Sequence, residues 1–333
     1  MLIGVFVFLV DPFQHFRASE LYPADYNDKV RYLVPGFAKH QSYELIILGD
    51  SHSQNMLASV AQRTLGKPAV NLSLNGSSVF EQRVVAETAL RTGQVKRVIW
   101  GLNYNSFRGS TQWSRLTQGL PMYLYDESLL NDVDYLFNAD VLQSAFEILS
   151  DPEKARDSPD LINSWFRNPE YQPDRDKVIR EFRRKGQVYN ANYRLSKLAA
   201  NLKQNVIPII RAHPEVEFTF FVPPFSVLHY VNLRDHARHM LGTLLQFYEI
   251  MFDHLTREPN VTLYFFGLDK SISHKLENYK DLTHYSLDIS TMLLEEFARK
   301  RYMVTRGNMA RIVPAFDRQI QTLDVPAFIG EAP

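Results

Sequence analysis

The sequence predicts an α/β fold on a parallel sheet, and three observations carry that reading. Five short apolar runs recur along the chain: "ELIIL" at 44–48, "AVNLSL" at 69–74, "RVIWGL" at 97–102, "EFTFFV" at 217–222 and "VTLYFF" at 261–266. Most are followed by a stretch of helical periodicity, and strands alternating with helices form parallel sheets. The first two helical stretches run into Gly66 and Gly93, and glycine most readily takes the left-handed conformation that closes a helix.

In chain order, "MLIGVFVFLVDPF" opens the sequence with about ten apolar residues, roughly half of what a membrane-crossing helix needs. No basic lead precedes it and no small-residue cleavage site follows. Residues 1–42 therefore read as the tail end of an N-terminal anchor plus a lead-in, with a first buried strand or helix as the alternative. After the first strand, "SQNMLASVAQRTLG" reads as one amphipathic helix, and after the second, "VFEQRVVAETALRTG" as another. From about 106 to 190 no strand pattern appears. This insertion holds helical pieces, "NADVLQSAFEILS" and "DKVIREFRRKGQ", around a loop-like "DPEKARDSPD". The pattern resumes with "NYRLSKLAANLKQNVIPII" before the fourth strand, "LRDHARHMLGTLLQFYEIMFDHL" before the fifth, and a last helix ahead of 302. Residues 43–302 thus form one α/β domain carrying an insertion, and 303–333 read as a tail over its surface.

Composition narrows the function. A chain of 333 residues buries a full core. Lys plus Arg and Asp plus Glu both number 37, so no long-range field draws nucleic acid or anionic lipid. The absence of cysteine removes disulfides, thiolate metal sites and a cysteine nucleophile together.

Ligands of open parallel sheets sit beyond the carboxyl ends of the strands. There the chain places Gly49-Asp50-Ser51-His52, then Gly76 in "NGSS", then Gly101-Leu102-Asn103, and, ahead of the last helix, Asp281-Leu282-Thr283-His284. These segments, in this order, resemble the sequence blocks of the SGNH (GDSL-type) hydrolase superfamily over about residues 44–300. Tyr104 departs from the resemblance, because the third block commonly carries Asp after Asn. The resemblance implies a flavodoxin-like three-layer α/β/α architecture with about five parallel strands, and esterase or carbohydrate O-acyltransferase or deacetylase activity. Membrane-anchored envelope members of similar layout imply a partner membrane acyltransferase and a cell-envelope location facing the periplasm or exterior; the cytoplasm stays open.

The chemistry follows from the residues as well. A serine hydroxyl needs a base to take its proton, and His284 is the candidate for Ser51, with Asp281 to hold its tautomer. The resulting alkoxide needs donors: the N–H groups of Ser51 and Gly76 and the amide of Asn103. No metal or organic cofactor is required. The substrate is then an acylated carbohydrate or a small ester.

Each residue has a plainer reading. Asp50 and Ser51 suit a helix N-cap, Gly76 and Asn103 suit turns, and Asp281 with His284 suits a loop hydrogen bond; it is their coincidence that favours a site. His52 after Asp50 also suits a metal phosphoesterase, but the further acids and late histidine pair of such sites are missing, so His52 reads as shaping the pocket or as an N1-position helix residue. His213, His229, His236, His239 and His274 read as surface or core residues, and "REFRRK" at 180–185 as a solvated helix face. Trp113, Tyr123, Tyr125, Tyr135, Trp165 and Tyr171 either stack on sugar rings or form a core for the insertion. A non-catalytic carbohydrate-binding or assembly protein on the same scaffold is the alternative to an enzyme.

Overall fold

A computed structural model of the chain describes residues 2–19, 22, 29–114, 120–151, 160, 171–184 and 190–330. The apolar runs form β1 (Leu45–Leu48), β2 (Ala69–Asn71), β3 (Arg97–Gly101), β4 (Glu217–Val222) and β5 (Val261–Phe265), all parallel. A sixth strand, β6 (Met303–Val304), pairs antiparallel with β5 and closes the order β2-β1-β3-β4-β5-β6. The expected five strands are therefore six, in a mixed sheet. β6 is two residues long, too short to carry a periodic signal. Lys300 and Tyr302, both at positive φ, turn the chain back onto β5.

Successive strand residues point to opposite faces, and β1 shows the consequence. Ile46 and Leu48 enter one apolar cluster, Leu45 and Ile47 the other. The first face is covered by α2 (Val30–His40), α5 (Val79–Leu90), α9 (Leu195–Asn205), α10 (Ile207–Ala212), α11 (Val227–His236) and α12 (Arg238–Leu255). The second is covered by α4 (Ala58–Leu65), α8 (Arg175–Phe182) and α14 (Leu287–Arg299). The rest are α1 (Leu2–Val10), α3 (Ser51–Gln54), α6 (Val133–Leu136), α7 (Ala139–Ser150), α13 (Lys270–Ser273), α15 (Met309–Gln321) and α16 (Val325–Ile329).

Both expected stop glycines are left-handed, Gly66 at φ 71° and Gly93 at φ 73°. Ser78 and Glu81 start α5 with a reciprocal capping box. Three stretches read as single helices are each two: α3 and α4, α9 and α10, α11 and α12. In the insertion, Asn138 caps α7 and Asp174 caps α8 where helices are expected; most of "DPEKARDSPD" lies outside the described residues.

Two expectations are corrected. The N-terminal run forms α1, nine residues long, about 14 Å at 1.5 Å per residue against a hydrocarbon core of roughly 30 Å. Among the described residues no helix is long and apolar enough to cross a membrane. The helix ends because the Asp11 carboxylate accepts the N–H groups of His15, Phe16 and Arg17 and turns the chain away. Val10 then packs with Tyr22, Ala145 and Ile148 of the insertion side. The N-terminal anchor on which the expected envelope placement rested is therefore not shown. The segment from 303, expected as a surface tail, instead supplies β6 and α15, whose Phe316 is buried against Tyr230 and Phe265.

Candidate active site

The order of the strands reverses at β1, which has β2 on one side and β3 on the other, so a crevice opens at the carboxyl ends of β1 and β3. β1 runs into Gly49, at φ 144°. A Cβ there would lie closer than 3.0 Å to the Ser53 hydroxyl, so both backbone angle and space demand glycine. Asp50 follows as the cap of α3, accepting the His52 N–H at 3.0 Å. Ser51 is thereby fixed as the first residue of that turn, half-buried.

The Asp281–His284 segment closes a tight loop in which Tyr279 bridges Tyr285 and the Lys280 N–H donates to the His284 carbonyl at 3.0 Å. Within it Asp281 Oδ1 accepts the N–H groups of Thr283 (2.9 Å) and His284 (2.7 Å). Its carboxylate also faces His284 Nδ1, 2.8 Å from Oδ2 and 3.0 Å from Oδ1. The opposite ring nitrogen, Nε2, is 2.8 Å from Ser51 Oγ. With the Nδ1 proton donated to Asp281, the Nε2 lone pair is left to accept from the serine hydroxyl.

The electrostatics support that assignment. Burial pushes the Asp281 carboxyl up, but the hydrogen bond and charge of His284 and the two loop N–H groups hold it well below the usual carboxylate range. Burial lowers the His284 pKa, as does the charge of His52, against the raising effect of Asp281. At neutral pH the pair is a carboxylate and a neutral imidazole, the state a general base needs.

Gly76 lies at φ 59° in the turn after β2. That turn is tied to the start of the site: the Leu74 N–H and the Ser77 hydroxyl both donate to the Gly49 carbonyl, at 3.1 and 3.2 Å. Asn103 is buried, and one N–H of its amide donates to Asp50 Oδ2 at 2.6 Å, while its oxygen accepts the Asn105 N–H. Asn103 thus braces the residue before Ser51, and its amide nitrogen also lies 3.4 Å from His52 Nδ1. Tyr104, where the resembled family carries Asp, is buried and pairs its hydroxyl with His229 Nε2 at 3.1 Å.

The sequence reads His52 as shaping the pocket or as a first-turn helix residue, and it lies in the first turn of α3. Its Nδ1 is 2.7 Å from Asp50 Oδ1 and its ring stacks on that of His284. Burial pushes the Asp50 carboxyl up, but the charge and hydrogen bonds of His52, with Asn103, bring it down to about 2. The adjacency of Asp50 and His52 was visible; the stack on a residue more than two hundred positions away was not. A second unanticipated contact comes from α8, whose Glu181 accepts the Leu282 N–H at 3.2 Å and braces the histidine loop. The "REFRRK" stretch is thus solvated at Arg180, Arg183 and Arg184 but not at Glu181.

The aromatics of the insertion divide. Tyr125 and Tyr135 are buried core residues, their hydroxyls bonded to the Arg31 carbonyl and Asp11. Trp113 lies under the Arg108 guanidinium. Tyr123 is half-buried. Tyr171 is exposed and takes the Lys280 ammonium over its ring at 4.2 Å, one residue from Asp281. Trp165 lies outside the described residues. Of the other histidines, His229 is buried behind His52 and burial lowers it to about 3; His213, His236, His239 and His274 stand apart from the triad. Among the described residues no three His, Asp or Glu side chains gather as a metal site. Neither a family model, nor a curated protein, nor a solved structure matches this chain.

Proposed function

We propose that this protein is a serine-dependent acyl-transfer enzyme acting on esters. One observation carries the reading: the unbroken line from Ser51 Oγ through His284 to Asp281, at 2.8 Å for each nearest contact. Ser51 Oγ attacks the ester carbonyl while His284 Nε2 takes its proton, and Asp281 steadies the imidazolium. The N–H groups of Ser51 and Gly76 and the amide of Asn103 receive the oxyanion. His284 returns the proton to the departing alkoxide, leaving an acylated Ser51. Water then releases the acid, or a hydroxyl acceptor takes the acyl group, with His284 as base again.

The ordered blocks and the 2-1-3-4-5 arrangement of the parallel strands support an SGNH-like, flavodoxin-like three-layer assignment. Small esters and acylated carbohydrates are the substrate classes we infer, and an acyltransferase partner would be the acyl source for the transfer branch. Turnover of p-nitrophenyl acetate tests the reading. Hydrolysis by the wild-type protein, its loss in Ser51→Ala and labelling of Ser51 by a fluorophosphonate are expected; equal rates for the two proteins overturn it. Adding oligosaccharide acceptors and following acyl products by mass separates transfer from hydrolysis.

A further inference from the structure

Two aspartate–imidazole pairs stand side by side at the carboxyl end of β1. One is Asp281–His284. The other is Asp50–His52, whose ring lies 4.4 Å from that of His284, centre to centre, with 7° between the planes. We propose that His52 is a positioning residue for His284: Asp50 fixes the His52 ring, and that ring seats the His284 imidazole in the plane that aims Nε2 at Ser51. The proposal rests on His284 being the base of the acyl-transfer site.

The geometry supplies the reason. Hydrogen bonds at Nδ1 and Nε2 hold two atoms of the His284 ring, yet torsions of this type are broad, so the ring can still rock about the line joining its partners. A flat surface against one face removes that freedom, and small misplacements of a reacting group are costly.

The surface itself is held from several sides. His52 is attached to Asp50 Oδ1 through both Nδ1, at 2.7 Å, and its backbone N–H, at 3.0 Å. Asp50 Oδ2 accepts from Asn103 at 2.6 Å and from the Ser106 hydroxyl at 3.4 Å. The His52 carbonyl accepts the Tyr285 hydroxyl at 2.7 Å, and the Phe225 ring packs nearby at 4.9 Å.

Nε2 of His52 is buried and bonds to nothing among the described residues; the contacts its ring does make are Nδ1 on Asp50 and one face on the His284 ring.

The charges around the pair complete the argument. His284 is faced by Asp281 and Lys280 of its own loop, with Glu181 of α8 behind them. His52 is faced by Asp50, by Tyr285 and by His229 of α11, which burial keeps neutral. Lys280 is the other cation that acts on His284. Its ammonium lies over the Tyr171 ring at 4.2 Å, whereas the His52 ring lies against His284 at stacking distance.

The test uses the full chain as wild type, His52→Phe and His52→Gln, with ring nitrogens of histidine labelled for NMR titration and p-nitrophenyl acetate hydrolysis followed against pH. His52→Phe keeps a flat face that carries no proton. In it the His284 titration and the acid limb of kcat/KM are expected to move up by about one pH unit, with a smaller loss of kcat than in the ringless variant. His52→Gln keeps a polar contact for Asp50 but no ring, and its kcat is expected to fall by about 10² at little-changed KM. An unmoved His284 titration in His52→Phe or a wild-type kcat in His52→Gln would each overturn the proposal. Because the His284 titration is read without turnover, a protein that hydrolyses no ester but shows that titration moved in His52→Phe sinks the enzymatic reading and leaves the contact between the rings standing.

Discussion

Ser51 Oγ and His284 Nε2 stand 2.8 Å apart although 233 positions of chain separate them. The contact exists because both belong to loops at the carboxyl end of one sheet. Gly49 turns Ser51 up from the end of β1, and the hydrogen-bonded loop before α14 brings His284 down over it.

The proton arrangement at that contact depends on Asp281. In Asp281→Asn an amide replaces the acceptor that holds the Nδ1 proton, and the imidazole is driven towards the wrong tautomer. Steady-state kinetics on a chromogenic ester should show kcat lower by roughly 10³–10⁴ with KM little changed.

The pH profile should carry the signature of the buried base. His284 acts only when neutral, so the rate falls as pH drops through its pKa. Burial and the charge of His52 lower that pKa, so the acid limb of kcat/KM should lie below the ordinary histidine value of about 6.5. A limb at or above that value contradicts the environment described for the ring.

Depressed carboxyl pKa values also set the acid stability. Asp50, held down to about 2, and Asp281, also depressed, contribute stability that is present above the unfolded value near 3.9 and is lost as pH falls through the folded values. Urea midpoints should hold at and above about pH 5 and decline below about pH 4. Asp50→Asn should flatten part of that decline.

Asn103 braces Asp50 and, in the proposed mechanism, also donates to the oxyanion. Asn103→Ala removes the partner of Asp50 Oδ2 and should cost about 1–3 kcal/mol in denaturant unfolding. The same change removes an oxyanion donor and should lower kcat by roughly 10²–10³. A loss of stability with full activity would separate the two functions.

Gly101 and Ser53 make a steric pair behind the nucleophile. A Cβ at Gly101 would come closer than 3.0 Å to the Ser53 hydroxyl and the Phe221 ring, so Gly101→Ala should lower Tm and displace α3. Among the described residues the buried Ser53 hydroxyl has no hydrogen-bond partner, and Ser53→Ala should leave Tm unchanged or raised. Calorimetry on the two variants checks both signs.

Much of this was legible in the chain. The apolar runs marked the five parallel strands within a residue or so at most ends, because burial on both faces leaves no room for polar residues. Ser51, Asp281 and His284 were legible because nucleophile, base and orienting acid are side-chain chemistries that few other residues supply. The helix breaks were not: Ala237 separates α11 from α12 at ψ 51°, and no glycine or proline announces it. Nor did the early apolar stretch declare its partner. Its composition suits a membrane or a protein surface equally, and Asp11, which ends the helix, acts through a carboxylate folded back on three N–H groups.

What sequence by itself determined, then, is the set of reactive groups and the alternation of strand and helix, since these depend on residue identity and on periods of two and 3.6. What only tertiary structure decided is which groups meet: the seat of α15 against Tyr230, the brace of Glu181 on the histidine loop, and the parallel rings of His52 and His284. Those contacts join residues far apart in sequence, and they follow from strand order and loop closure, which no local pattern encodes.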